Sequence, residues 1–261
     1  MTSIFAPGLF AGRTALITGG GTGIGFAIAQ ELGALGATVV IAARNAERLA
    51  TASTRLADEG IDSAWHQVDI RNEQQVATLF DALATSGRLP DILVNNAGGQ
   101  FAAPALRISP NGFRAVVDLN LTGTWHMSHA FASRRIAVAG GGRIINIVLS
   151  IEGGSPGYAH AAAARAGVIN LTKTLAIEWA PHGLTVNAVA PGTIRTSALE
   201  QYDPAPIEAG IAALPIHRMG EPAEVARAVA FLASPAGDYL TGTVLFVDGG
   251  KHLAREAPGK E

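Results

Sequence analysis

TALITGGGTGIGFAIAQELGALGATVVIAAR runs from Thr14 to Arg44 and alternates apolar runs with glycine-rich breaks. TALITG (Thr14–Gly19) predicts a β-strand, because it is short, apolar and bounded by glycine. The next stretch (Ile24–Gly36) predicts a helix that Gly36 closes, and ATVVIAAR (Ala37–Arg44) predicts a second strand. Two buried strands joined through a helix form a βαβ unit, which favours a parallel sheet.

The loop between the first strand and the helix is rich in glycine. Gly19, Gly23 and Gly25 have the spacing G-x-x-x-G-x-G, which permits a tight turn and a close approach of the backbone to a pyrophosphate. The helix that follows would direct its free N–H groups and positive dipole end at that phosphate. A purely structural turn is the alternative. We predict a dinucleotide site that includes Gly19, Gly21, Thr22, Gly23, Ile24 and Gly25.

The same alternation continues along the 261 residues, which we expect to form one domain. It predicts an α/β, Rossmann-like fold with a seven-stranded parallel sheet and helices on both faces. Thr193–Pro222 is rich in proline and predicted to be irregular, and we interpret it as a substrate loop. The remaining predicted helices are Ala46–Gly60, Glu73–Ser86, Asn111–Ala137 and Tyr158–Pro181, and the remaining strands are 63–70, Asp91–Gly98, Gly142–Ser150, 184–192 and Thr243–Gly250.

Composition argues against several functional classes. Hydrophobic residues make up 48% and the net charge is −2, so we expect a large core and no attraction to nucleic acid or anionic lipid. The absence of cysteine excludes disulfides, thiolate nucleophiles and cysteine-ligated zinc, and we predict no metal site. No apolar run reaches the roughly 18 residues of a membrane span. MTSIFAPGLFAGR does not resemble a signal peptide, nor the end EAPGKE a peroxisomal signal, so we expect a cytoplasmic protein.

The residues that follow the second and third strands bear on the cofactor. Arg44 and Asn45 follow two alanines, so no carboxylate is offered to a ribose 2′-hydroxyl, and an arginine here favours a 2′-phosphate. We therefore predict NADP(H), with a merely solvent-exposed Arg44 as the alternative. Asp69, beside Ile70, either accepts a hydrogen bond from the adenine amino group or caps the helix that follows.

From about Arg13 to Gly250 the chain resembles the short-chain dehydrogenase/reductase family. The resemblance rests on TGGGTGIG, on NNAG from Asn95 to Gly98, on Asn120 in DLNLTGT, on Pro191-Gly192 and on the closing VDGG. It implies a doubly wound fold, a nicotinamide cofactor, a catalytic role for Asn120, and a homotetramer built on the two long helices. It also assigns further cofactor contacts to Asn96, Ala97, Gly98, Arg165, Pro191, Gly192, Ile194 and Thr196.

Members of that family usually carry a serine, a tyrosine and a lysine at three catalytic positions, which here read Leu149, Ala161 and Arg165. NNAGGQF and HAAAARAGVINLTKTLAIEWA resemble the peroxisomal trans-2-enoyl-CoA reductase branch, which has an arginine in place of the lysine. Mitochondrial 2,4-dienoyl-CoA reductases are a more distant likeness. They keep the lysine and place a tyrosine near the end of the fifth strand, where this chain has Ser150.

The loss of the tyrosine bears on the reaction. Reduction of a ketone makes a basic alkoxide, which needs a positioned acid. Hydride addition to the β carbon of an enoyl thioester makes a less basic enolate, which hydrogen-bond donors can hold without giving up a proton. Arg165 suits that task and cannot supply a proton, because arginine stays protonated. A surface ion pair is its alternative role.

Candidate proton donors are Ser150, Tyr158, His160 and Tyr202. Tyr158 and Arg165 are seven residues apart and would share a helix face, whereas His160 would diverge from Arg165 unless the helix began after it. The resemblance to enoyl-CoA reductases nevertheless favours His160. Tyr158 can equally be a packing residue, and Ser150 either bonds a carbonyl or caps a turn.

We therefore predict an NADPH-dependent reductase of a C=C bond conjugated to a thioester, with a trans-2-enoyl-CoA as the expected substrate and a role in fatty acid metabolism. The alternatives are an NADP(H)-dependent carbonyl or alcohol oxidoreductase, such as a 3-oxoacyl reductase, that uses Tyr158, and a catalytically silent NADP(H)-binding protein.

Overall fold

In the computed structural model, which describes residues 4–253, seven parallel strands form one sheet. Their spatial order is β3-β2-β1-β4-β5-β6-β7, so the predicted Rossmann-like, doubly wound fold is confirmed. Most strands are shorter than predicted at their carboxyl ends, because the last predicted residues belong to the loops that form the site. The strands are β1 (Thr14–Thr18), β2 (Thr38–Ala43), β3 (Ser63–Gln67), β4 (Ile92–Asn95), β5 (Gly142–Ile147), β6 (Leu184–Pro191) and β7 (Val244–Val247).

Helices cover both faces of the sheet. In β1, Ala15 and Ile17 belong to one buried apolar cluster and Leu16 to the other. This alternation is the two-residue period of a strand buried on both sides. The helices are α1 (Gly23–Ala34), α2 (Ala46–Asp58), α3 (Glu73–Thr85), α4 (Pro110–Val117), α5 (Gly123–Ala137), α6 (Ala159–Trp179), α7 (Pro204–Ala212) and α8 (Pro222–Ala233).

The chain reverses its direction of travel across the sheet between β1 and β4. After β3 at one edge it returns to the other side of β1, so the loops after β1 and β4 diverge. Such a switch point opens a crevice at the carboxyl ends of the strands, where this class of sheet binds its ligands.

The long helix predicted over Asn111–Ala137 is interrupted. A five-residue π-helical turn, Asp118–Thr122, separates α4 from α5. Asn120 lies within it, and its side-chain amide donates to the Val116 carbonyl at 2.8 Å. Turns of this kind hold one extra residue and are common at functional sites.

Thr193–Pro222 was expected to be irregular, and that prediction is wrong in part. It contains α7, which starts at Pro204 behind an Asp203 cap, and α8 starts at Pro222 behind Glu221. Proline fits the first turn of a helix because its missing N–H would have no partner there. No helix was predicted over Pro222–Ala233, because α8 has few large apolar residues to mark a helical period. It is buried against α1 and the sheet.

Within residues 4–253 no helix is both long and apolar enough to cross a membrane. The C-terminal EAPGKE and the first three residues of the N-terminal stretch lie outside the described residues.

Candidate active site

A cavity of about 430 Å³ opens at the crevice between the loops that follow β1 and β4. Of the predicted cofactor residues, Gly192 and Ile194 line a neighbouring cavity of about 340 Å³ instead. Pro191 is buried at the end of β6, and Arg165 is buried in α6. The cavity at the crevice is lined by Gly19, Gly21, Thr22, Gly23, Ile24, Gly25, Arg44, Asn45, Asp69, Ile70, Asn96, Ala97, Gly98 and Thr196 among the predicted residues.

The first turn of α1 leaves its N–H groups open toward this cavity. Thr22 caps the helix in an extended conformation without a side-chain hydrogen bond, and the first turn carries no acidic residue. The Asn96 amide donates to the Thr18 carbonyl at 2.9 Å and to that of Gly19 at 3.3 Å, which fixes the glycine loop. Such a helix start fits a pyrophosphate group.

Two guanidinium groups line the part of the cavity beside β2. Arg44 was expected here, whereas Arg48 was not, because it lies inside α2, away from the strand ends whose pattern indicates cofactor contacts. Asn45 accepts from the Arg48 amide at 2.8 Å and so caps α2, which holds the first turn of that helix against the cavity. The two arginines fit a dinucleotide that carries a 2′-phosphate.

Asp69 is the carboxylate that lines this cavity, and it is already paired. Its oxygens accept from the Arg71 guanidinium at 2.5–3.1 Å. These hydrogen bonds lower the pKa of Asp69 although burial opposes them. The alternative role for Asp69 as a helix cap is wrong, because Asn72 caps α3 and accepts from the Gln75 amide at 3.0 Å.

Arg165 is a buried cation, with only 6% of its surface exposed. Its Nη1 donates to the Ile147 carbonyl at 2.8 Å, and its Nε has no partner among the described residues. Burial lowers the pKa of Arg165 to about 10, so the group remains charged at neutral pH. No carboxylate within residues 4–253 forms an ion pair with it, so its alternative role in a surface ion pair is wrong.

Gly98 brings Arg165 and Asn120 together. A side chain at Gly98 would collide with Arg165 Nη2 and lie 2.6 Å from Asn120 Oδ1. Asn120 also exchanges hydrogen bonds with Gly99: its Nδ2 donates to the Gly99 carbonyl at 2.8 Å, and its Oδ1 accepts from the Gly99 amide at 3.3 Å. With the bond to Val116, both amide hydrogens of Asn120 are in use, and only Oδ1 can still accept a hydrogen bond.

The expected catalytic acid has no counterpart in this arrangement. Ala161 is fully buried and offers only a methyl group. Ser150 donates its single hydroxyl hydrogen to Asp248 at 2.7 Å, so it can only accept from a ligand. Burial alone would raise the pKa of Asp248, but hydrogen bonds from Ser150, His252 and Gly250 lower it, so this carboxylate stays charged and keeps the hydroxyl turned toward it.

Tyr158 lies before α6 rather than within it. It is the N-cap residue, with φ −134° and ψ 34°, so the expectation that it shares a helix face with Arg165 is wrong. Its ring meets that of Tyr202 edge-on at 6.1 Å. Burial, followed by the effects of Tyr202, raises the pKa of Tyr158 and makes it a weaker acid.

His160 lies in the first turn of α6 and is fully buried. Only a helix that began after His160 would direct this side chain toward Arg165, and α6 begins before it, at Ala159. The Phe101 ring packs edge-on against the imidazole, with ring centres 4.4 Å apart. Phe101 belongs to the loop after β4, whose first residues, Asn96–Gly98, line the cavity.

Comparisons with known proteins agree over nearly the whole chain. A family model described as Enoyl-(Acyl carrier protein) reductase matches residues 19–252. A peroxisomal 2,4-dienoyl-CoA reductase from Danio rerio is 39% identical over 97% of this chain and 85% of its own. The solved structure of a citronellol catabolism dehydrogenase from Pseudomonas aeruginosa is 40% identical, covers 97% of this chain and 100% of its own, and has a TM-score of 0.87. That of a gluconate 5-dehydrogenase from Burkholderia cenocepacia in complex with NADP and tartrate is 38% identical, covers 94% and 97%, and has a TM-score of 0.88.

Proposed function

Because the chain belongs to the short-chain dehydrogenase/reductase family, and is thus an oxidoreductase, we propose that it reduces a C=C bond conjugated to a thioester, with NADPH as reductant. The proposed substrate is a trans-2-enoyl-CoA of fatty acid metabolism. The observation that carries the proposal is the buried Arg165 cation, which has no carboxylate partner within residues 4–253 and lies beside Asn120, in a site where Ala161 offers no acid.

The family uses a cofactor of the NAD(P) type, and NADP(H) is the proposed form. Arg44 and Arg48 line the cavity beside β2, while the carboxylate there, Asp69, is held by Arg71. Two guanidinium groups favour a 2′-phosphate over free hydroxyls. NADPH supplies a hydride when bound. The open start of α1 would hold its pyrophosphate, and Arg165 its nicotinamide ribose.

The chemistry follows from the charge that develops on the substrate. As a C–H bond forms at the β carbon, the electron pair of the C=C bond moves onto the thioester oxygen as an enolate. Arg165 is a fixed positive charge in a buried site, where it stabilises such an oxyanion more strongly than it would in water. A proton from solvent then completes the reaction at the α carbon. The name of the Danio rerio relative, a 2,4-dienoyl-CoA reductase, supports a substrate of this chemical class.

The direct test is NADPH oxidation with a series of trans-2-enoyl-CoAs, 2,4-dienoyl-CoAs and acetoacetyl-CoA. We expect turnover of the unsaturated thioesters and little of the oxo substrate. Activity on acetoacetyl-CoA alone would overturn the proposal. Tight NADPH binding with no turnover across the series would identify the chain as a silent cofactor-binding protein.

A carbonyl or alcohol oxidoreductase is the second candidate, because two of the solved relatives are named dehydrogenases. Tyr158 is the hydroxyl acid it would use. In that case Tyr158→Phe should abolish turnover, whereas an enolate mechanism predicts less than about a tenfold loss. The raised pKa of Tyr158 weighs against this candidate.

Assembly and location complete the proposal. Trp125 on α5 and Ile177 on α6 expose apolar surface, 39% and 77% of each residue, on the two helices expected to form the main interface of a homotetramer. Light scattering after gel filtration tests this, and a monomer would contradict it. We propose a cytoplasmic location, and recovery in isolated peroxisomes would contradict it.

A further inference from the structure

Few hydrogen-bond donors among the described side chains of this region are free to bind a substrate oxygen. Ser150 gives its only hydrogen to Asp248, and Asn120 gives both amide hydrogens to backbone carbonyls. Arg165 has part of its guanidinium free, since only Nη1 bonds Ile147 and Nε lacks a partner. His160 has the other buried donor without a partner among the described side chains of this region, its Nε2.

The hydrogen bonding of His160 fixes its tautomer. Its Nδ1 receives the Ala161 amide hydrogen at 2.8 Å, and an accepting nitrogen carries no proton. The proton of the neutral ring therefore lies on Nε2. A buried N–H without an acceptor is unfavourable and uncommon in native proteins. An acceptor from outside the chain would resolve it.

Phe101, in the loop after β4, packs against this imidazole. Its ring lies edge-on to the imidazole, yet 41% of the residue is exposed, so the ring can turn outward without leaving a core. The loop that carries it is held near α6 by a backbone hydrogen bond of 2.9 Å from Ala103 to Gly157. The Phe101 side chain can therefore turn while the loop that carries it stays in place.

We propose that His160 is a catalytic residue whose Nε2–H donates to the carbonyl oxygen of the thioester once Phe101 turns aside. The proposal rests on the proposed function and extends it, because it names the second donor to the enolate. Nε2 keeps its proton while the electron pair of the C=C bond moves to the oxygen, so His160 holds the oxyanion through a hydrogen bond and the buried charge of Arg165 acts on it at longer range. The α carbon takes its proton from water.

The first test compares His160→Leu with His160→Gln, since the glutamine amide can donate from about the position of Nε2. Loss of one oxyanion donor lowers kcat by about 10²–10³-fold, and we expect that loss in H160L with a smaller change in KM. H160Q should stay within about tenfold of the wild type. Exposed His182, as H182L, is the control for replacing a histidine. Equal losses in H160L and H160Q, or an unchanged H160L, would overturn the proposal.

The second test needs no turnover. A saturated acyl-CoA with an isotope-labelled carbonyl is bound to each protein, and the infrared stretching band of that carbonyl is recorded. The band should lie at lower frequency in the wild type than in H160L, with circular dichroism and NADPH binding showing that the variant is folded. A band that is the same in both proteins would overturn the role of His160.

The two tests separate the proposals. A wild type that shows the shifted band but reduces no enoyl-CoA would contradict the proposed reaction and leave His160 as the carbonyl donor. A wild type that reduces enoyl-CoA while H160L is equally active would contradict only the role of His160. Failure to bind any acyl-CoA would overturn both.

Discussion

Replacement of Arg165 by methionine should leave the ligand-free protein as stable as the wild type or more stable, while it abolishes turnover. The prediction follows from the isolation of this charge. Arg165 is buried, forms no ion pair within residues 4–253, and donates one hydrogen bond among those residues, to the Ile147 carbonyl. Methionine has a similar helix propensity and can fill the space of the arginine stem.

The magnitude comes from the lowered pKa. Burial lowers the pKa of Arg165 from its ordinary value to about 10. Since one pKa unit corresponds to about 1.4 kcal/mol, the buried charge costs the folded state about 3 kcal/mol. The hydrogen bond to Ile147 returns about 2 kcal/mol. Removing both should therefore raise the free energy of unfolding by about 1 kcal/mol.

The dependence on pH has a definite sign. At pH 7 the guanidinium is protonated in the folded and unfolded chains, so the whole cost is present. Above about pH 10 the folded protein loses this proton before the unfolded chain does, so wild-type stability rises with pH until the unfolded chain also loses it. The difference between the wild type and the Arg165→Met variant should shrink accordingly above pH 10.

Urea denaturation at a fixed protein concentration measures the effect. The matched control is Arg135→Met. Arg135 is equally buried but lies 3.3 Å from Asp91 and donates to the Gly141 carbonyl at 2.6 Å. Loss of one partner of such a pair should cost about 3 kcal/mol. If Arg165→Met loses as much as Arg135→Met, the charge is compensated in the fold and the reasoning is refuted.

Three further changes test the site and the fold. Gly98→Ala should displace Arg165, lower kcat by about 10–100-fold and reduce the free energy of unfolding by about 1–3 kcal/mol. The control is Gly153→Ala, at a position with open space around it, which should match the wild type in turnover and urea midpoint. Arg44→Asp should raise the KM for NADPH by about 10–100-fold and leave the KM for NADH little changed. If steady-state assays show the same preference between NADPH and NADH as in the wild type, NADP(H) is not the cofactor that Arg44 selects. Gly210→Ala, exposed in α7 with no neighbouring atoms within 4 Å, should stabilise the protein by about 1 kcal/mol, and a lower melting temperature would argue against helix there.

The sequence predicted the sheet well because strands buried on both faces carry their signal locally. β1 and β2 are continuous apolar runs, and the glycine spacing between β1 and α1 is typical of a turn that leads from a strand into a helix. α8 gave a weaker signal, because alanines make up much of its buried face and leave few large apolar residues to mark the helical period. α7 was hidden by its prolines, which start helices as well as break them.

The site was predictable as a set of loops but not as a set of contacts. Ser150 and Asp248 are 98 residues apart in sequence, and nothing in either segment indicates that one takes the hydrogen of the other. The same holds for Phe101 and His160. The predicted position of Tyr158 relative to Arg165 was wrong by a single residue. α6 begins at Ala159, one position after Tyr158, so helical spacing does not extend to Tyr158.

The π-helical turn at Asp118–Thr122 has a consequence for anyone who builds chimaeras from this chain. A regular helix turns by about 100° per residue, so deleting one residue here would rotate α4 against α5 by that angle. Asn120 would lose Gly99, or Trp125 would face a new direction. A segment grafted from a relative must therefore match this turn in length, and sequence alignments should place no gap across it.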